Sequence, residues 1–137
     1  MLKKIPLLKV LSLISFFSFF TISNVIAQEK TPSQEEIVYS NPDIYPTFEG
    51  GMDKFFKFFS KNYRIPNRYK GIGNLGITFI VEKDGSISDI KVIKDLGNGT
   101  AAEAIRVMKL SPKWIPGKYD GKPVRTLFYM PAKIGHN

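Results

Sequence analysis

The chain has 137 residues, a formal net charge of +8 and no cysteine. This length is sufficient for one domain with a hydrophobic core and too short for two. Without cysteine, disulfides and thiolate metal sites are excluded, so the fold depends on its core alone. The 20 basic residues are scattered among 12 acidic ones. This scatter argues against nucleic acid as a partner, because nucleic-acid proteins usually concentrate their basic residues in one stripe.

Residues 1–27 have the pattern of a secretory signal peptide. Two lysines precede an apolar run, and a small residue, Ala27, stands before a predicted cut at Gln28. The alternative is a retained membrane anchor, because the apolar run from Val10 is just long enough to span a bilayer. Cleavage predicts an exported protein, and only a retained leader would hold the chain at a membrane.

Residues 28–45 are polar, contain two prolines and show no periodicity that would bury a face. They are predicted to form a tether, and residues 46–137 to form the domain.

The first predicted helix runs from Met52 to Asn62. Five apolar residues fall at the spacing of one helical stripe, which is typical of a core face. They are Met52, Phe55, Phe56, Phe59 and Tyr63. Pro66 disfavours helical geometry in the residue before it, so the helix is expected to end by Arg64 or Ile65.

A β-hairpin is predicted from Leu75 to Ile93. Two apolar, β-branched runs flank Asp84-Gly85, a dipeptide that tolerates the positive φ of a tight turn. The favoured register pairs Phe79 with Ile90, Ile77 with Val92 and Val81 with Ser88. A bulge at Gly85 would instead pair Phe79 with Asp89 and Ile77 with Lys91.

A second helix is predicted over Ala101–Leu110, with Thr100 and Glu103 as a capping box. A last strand follows from Val124 to about Met130. Its alternation places Val124, Thr126, Phe128 and Met130 on one side and Arg125, Leu127 and Tyr129 on the other. Pro131 has no N–H for a ladder, so this strand is expected at an edge.

These elements predict an α+β fold with two layers. A three-stranded antiparallel sheet, in the order second, first, third, would carry both helices on one face. The flank of the C-terminal strand would remain open.

Catalytic and cofactor chemistry has little support in the sequence. His136 is the only histidine and lies next to the C-terminus, where a catalytic base would not be held rigidly. Gly71, Gly73 and Gly76 fit the letters of a dinucleotide motif, but they precede a strand instead of opening a helix. No cofactor and no metal are predicted, and an interaction domain is favoured over an exported enzyme.

The ordered set of motifs resembles the C-terminal domain of TonB proteins, in the form common in Bacteroidetes. The resemblance covers about residues 46–134. The motifs are Pro46-Thr-Phe-Glu-Gly-Gly51, Lys61-Asn-Tyr-Arg-Ile-Pro66, the turn at Asp84-Gly85, Ala104-Ile-Arg-Val107, Pro112-Lys-Trp-Ile-Pro-Gly-Lys118 and Gly121-Lys-Pro-Val124.

The resemblance implies a non-enzymatic periplasmic module that binds the "TonB box" of outer-membrane TonB-dependent transporters. In the family this peptide pairs with the last strand, by β-augmentation. The implied partner-binding residues are Val124, Arg125, Thr126, Leu127, Phe128, Tyr129 and Met130, together with Ile65 and Pro66, which stand where the family has a Tyr-Pro pair.

Family members that transmit energy keep an uncleaved membrane helix and a long proline-rich spacer, whereas this chain has a cleavable-looking leader and a short arm. Two alternatives to a periplasmic peptide-binding domain therefore stay open. One is a short, inner-membrane-anchored transducer facing the periplasm for siderophore or nutrient uptake. The other is an exported domain with an unrelated partner or a homodimerisation role, since an unpaired strand can pair with its own copy.

Overall fold

The computed structural model describes residues 37–135. The leader, its cleavage site, residues 28–36 of the predicted tether and His136 lie outside the described residues. The elements are β1 (Val38–Tyr39), β2 (Thr47–Phe48), α1 (Met52–Asn62), β3 (Ile72–Val81), β4 (Ile87–Lys94), α2 (Thr100–Lys109), β5 (Trp114–Ile115), β6 (Gly117–Tyr119) and β7 (Lys122–Gly135). Neither helix in this part of the chain is long and apolar enough to cross a bilayer.

The main sheet has five strands in the described part of the chain, so the prediction of a three-stranded sheet is wrong. Its path runs β1-β7-β3-β4, and β6 also pairs with β7. The three long strands are antiparallel neighbours, whereas β1 lies parallel to β7. The added strands have two or three residues, too few for alternation to reveal them in the sequence.

The hairpin of β3 and β4 contains both of the registers weighed above. Ile77 pairs with Val92, as predicted, but Val81 pairs with Ile87 instead of Ser88. Gly85 has a φ of 84°, and the Glu82 N–H donates to the Ser86 carbonyl at 2.8 Å, which closes a three-residue turn. Between Thr78 and Ile80 the register shifts again, at a β-bulge in β4 where Asp89 has a φ of 45°.

This bulge explains why the predicted pair of Phe79 with Ile90 is wrong. The three-residue turn shifts the ladder by one residue, and the extra residue of β4 restores the outer register. Phe79 therefore lies opposite the bulge, and its ring is fully buried.

Both helices contribute to one core cluster with the odd-numbered side chains of β3. Phe55 and Phe59 come from α1, and Ala104, Val107 and Met108 come from α2. An aromatic group surrounds Trp114 at the centre, with ring centroids 5.0–5.6 Å away; its members are Phe48, Phe55, Phe79 and Phe128.

The bounds predicted for α1 match the structure, but one residue of its predicted core stripe does not. Phe56 is 42% exposed, whereas Phe58 packs against the core and stacks on Phe48 of β2. Both rings lie at the margins of the stripe. β2 covers the Phe58 side, while Phe56 faces the C-terminal part of β7.

The predicted capping box of α2 is wrong. Gly99, with a φ of 89°, is the N-cap, and Thr100 is already the first helical residue. The Thr100 hydroxyl donates to the Asp95 carboxylate and lies close to the Gly97 carbonyl. Glu103 instead accepts a hydrogen bond from the Arg64 backbone N–H at 2.9 Å.

The described part of the predicted tether is not a free arm. Val38 and Tyr39 pair with β7, and Ile44 exchanges backbone hydrogen bonds with Lys118 at 2.9 and 3.0 Å. The Asp43 carboxylate accepts a hydrogen bond from the Asp120 N–H at 2.7 Å. These contacts hold residues 38–44 against β6 and β7.

Candidate functional site

The long C-terminal strand β7 has one face in the core and one face in solvent. Val124, Thr126 and Met130 are buried, and Phe128 is partly buried against the core. Leu127 and Tyr129 are 42% and 54% exposed. The alternation predicted for residues 124–130 is present and continues through the buried Ala132 and Ile134.

One flank of β7 pairs with β3 over ten residue pairs, from Thr126 to Gly135, without a register shift. The opposite flank is partly occupied, which corrects the prediction of an edge open from Val124. β1 pairs there with Arg125 and Thr126. Val124 is itself paired with Gly117 of β6.

Among residues 37–135, no strand pairs with the flank of β7 opposite β3 from Leu127 to Gly135. This segment is called the free flank below. It offers unpaired backbone C=O groups and, except at Pro131, N–H groups to an incoming strand.

The other edge of the sheet is β4, and it is poorly suited to strand pairing. Its ladder with β3 has two register shifts, and Asp89 has a positive φ. Exposed charges also lie along it, at Asp89, Lys91 and Lys94. Bulges and charged side chains are devices by which proteins protect sheet edges from further pairing. The free flank of β7 is therefore the better surface for a partner strand.

The two predicted residues that follow α1 share one pocket. Ile65 and Pro66 both line it, against Glu103 and Arg106 of α2. Ile65 also lines a second pocket with Lys133, Ile134 and Gly135, at the C-terminal end of the free flank. Only Ile65 lies beside the predicted partner strand, and it lies beyond the segment 124–130.

A polar network fixes the loop after α1 to α2. Arg106 donates to the Asn62 carbonyl at 2.7 Å and to the Glu103 carboxylate at 2.6 Å. The hydrogen bond from Arg106 holds the pKa of Glu103 below its usual value. The Tyr63 hydroxyl donates to the Thr100 carbonyl at 3.0 Å. Burial, and then the charge of Glu103, raises the pKa of Tyr63 to about 12, so Tyr63 stays neutral at physiological pH.

On the outer face of the sheet, Glu82 at the end of β3 binds Arg125 of β7. The Arg125 Nε donates to Glu82 Oε2 at 2.7 Å, and Nη2 donates to Oε1 at 3.1 Å. Ser88 donates a third hydrogen bond to this carboxylate. The hydrogen bonds from Arg125 lower the pKa of Glu82 from its usual 4.5. The pair anchors β7 just before the free flank begins.

Replacing Glu82 by glutamine is expected to destabilise the domain at pH 7 by about 1 kcal/mol, because a bidentate, three-quarters-buried charge pair is lost. Since the folded-state pKa is depressed, this stabilisation is present above about pH 4.5 and is lost as the pH falls through the folded-state value. Urea unfolding of wild type and Glu82→Gln should therefore converge as the pH is lowered progressively below 4.5. Glu49→Gln, at an exposed carboxylate, is the control, and a pH-independent gap between wild type and Glu82→Gln would contradict the prediction.

Within residues 37–135, no group of three or more His, Cys, Asp or Glu side chains lies close enough to hold a metal ion. The dinucleotide-like glycines Gly73 and Gly76 lie inside β3, where a Cβ on Gly73 would come within 2.8 Å of Leu96. Without side chains, these glycines let neighbouring side chains such as Leu96 pack closely against β3.

The described residues form a two-layer α+β domain in which part of one flank of β7 is unpaired. The family described as "Gram-negative bacterial TonB protein C-terminal" matches residues 67–133, so this part of the chain is assigned to the TonB C-terminal domain family. The match spans β3 through most of β7 and so includes most of the free flank. No curated protein and no solved structure matches the chain. The chain thus carries a TonB-like protein-interaction domain.

Proposed function

We propose that this protein works in the periplasm, where it binds the TonB-box segment of outer-membrane TonB-dependent transporters by strand addition to β7. The free flank carries the proposal, because it is the regular, unbulged edge of a sheet in a domain of this family. Backbone hydrogen bonds from the flank supply affinity, and the alternating side chains of the added strand supply selection.

The partner strand is expected to begin beside Leu127. β1 occupies the flank at Arg125 and Thr126, so an added strand meets β1 at that point. Leu127 and Tyr129 then contact the outward side chains of the peptide, while the region around Ile65 lies at its other end. The proposed binding segment therefore lies further toward the C-terminus than the predicted segment 124–130.

Site-specific photo-cross-linking in the native host tests this function. The full chain carries a benzophenone amino acid in place of Tyr129, at the free flank, or in place of Ile93, on β4 at the opposite edge. Both side chains are more than half exposed. We expect the Tyr129 variant to give adducts whose mass-spectrometric peptides map to the N-terminal segment of TonB-dependent transporters, and the Ile93 variant to give none.

Equal cross-linking from both positions, or adducts from Tyr129 with other proteins only, would overturn the proposal. Adducts of the chain with itself would identify homodimerisation through the free flank instead. N-terminal sequencing of the exported protein settles the role of the leader, because a start at Gln28 eliminates a membrane-anchored transducer.

A further inference from the structure

A groove runs between α1 and the C-terminal half of β7. Two adjoining pockets form it, and they share Phe59, Ser60 and Lys133 in their lining. The helix side adds Phe56, Tyr63 and, after the helix, Ile65. The strand side consists of residues 131–135 of β7 and Asn74 of β3. It is called the α1–β7 groove below. It lies directly beside the free flank, which contains the same strand residues.

The groove exposes apolar surface that the fold itself does not use. Phe56 is 42% exposed on a helix whose neighbouring rings, Phe55 and Phe59, are buried. Ala132 and Ile134 form the strand side of the floor. An aromatic ring left at the rim of an apolar groove is a typical feature of an interaction site.

We infer that the α1–β7 groove selects the peptide added to β7, by accepting one bulky apolar side chain of that peptide against Phe56. The inference rests on the proposed function, because the occupant is the added strand. A strand paired with β7 lies about 4.8 Å from it, and alternate side chains point to the helix side of the sheet. A side chain on that side, level with residues 131–135, enters the groove.

The charge of the groove lining sets a second requirement for the peptide. Lys133 is the charged group that lines both pockets, and no acidic residue lines either one. The preferred peptide therefore carries a carboxylate near its bulky apolar residue.

Fluorescence anisotropy with purified full-length protein tests the inference with four labelled, nine-residue Thr/Val peptides. At one central position they carry leucine or alanine, and at a neighbouring position aspartate or lysine. We expect leucine to bind about tenfold more tightly than alanine, from partial burial of its side chain. Aspartate should bind about threefold more tightly than lysine, a preference suppressed by salt.

Phe56→Ser should abolish the preference for leucine, and Lys133→Gln should abolish the preference for aspartate. Tyr119→Ser and Lys91→Gln are matched controls, because both residues are exposed and lie outside the groove lining. Binding of the alanine peptide reports the strand addition itself and should be unaffected by Phe56→Ser.

Three results would overturn the inference. Peptide preferences that persist in both groove variants would refute the inference while leaving strand addition intact. Preferences lost equally in the control variants would have the same meaning. If no peptide binds although circular dichroism shows an intact fold, both the inference and the proposed function fail. Amide-shift mapping of the bound peptide on residues 127–135 separates strand addition from binding elsewhere.

Discussion

Replacing Gly85 by alanine is expected to reduce the free energy of unfolding by about 2–5 kcal/mol. Gly85 has a φ of 84°, and this backbone region costs a non-glycine residue about 1–2 kcal/mol. A Cβ at this position would also lie 2.0 Å from the Trp114 carbonyl oxygen, so the backbone of either the turn or β5 must move. Overpacking of this kind adds about 1–3 kcal/mol. Urea denaturation followed by tryptophan fluorescence measures the change.

Gly121→Ala is the matched control for Gly85→Ala. Gly121 has a φ of 71° in the turn between β6 and β7, and a Cβ there meets nothing within 4 Å. This variant carries the backbone penalty alone, so it is expected to lose about 1–2 kcal/mol. Equal destabilisation of the two variants would show that the contact between the hairpin turn and Trp114 does not constrain the fold.

The elements that the sequence predicted well are long and strongly periodic. The bounds of α1 follow from its aromatic stripe and from Pro66, and the faces of β7 follow from its alternation. The two-residue strands β1, β2 and β5 were missed, because their pairing partners lie tens of residues away and no local pattern records them. The hairpin register was only half predicted, because the turn and the bulge at Asp89 each shift the ladder by one residue.

At the site, too, features set by nearby residues were predicted, and features set by distant residues were not. The two faces of the C-terminal strand were predictable from alternation, but its position at the edge of the sheet was only partly right, because β1 pairs with part of β7. The occupation of Arg125 and Thr126 by β1 was not predictable, since β1 comes from a segment read as a tether. Phe56 was assigned to the core because helical spacing cannot tell which margin of a stripe is covered. Only the position of β2 on one side of α1 decides that Phe58 is covered and Phe56 is not.

Replacing Trp114 by alanine is expected to remove about 3–5 kcal/mol of stability, a large part of the 5–15 kcal/mol typical of a domain. The indole is 3% exposed and contacts rings from β2, α1, β3 and β7. Its Nε1 also donates to the Ser111 hydroxyl at 3.1 Å. Thermal unfolding followed by circular dichroism measures the loss. Trp114→Phe should lose less, and Ile115→Ala, at the half-exposed neighbouring residue, should change stability by less than about 1 kcal/mol.

Trp114 and Gly85 are expected to be energetically coupled. The Trp114 N–H donates to the Gly85 carbonyl at 2.7 Å, so the two residues hold the hairpin turn against the segment that leads into β6 and β7. Removing the indole leaves a cavity into which the backbone of β5 can shift, which relieves the clash of an alanine at position 85. The double variant should therefore be more stable than the sum of the single losses predicts, by about 0.5–3 kcal/mol. Strict additivity would mean that the turn moves in Gly85→Ala while β5 stays fixed.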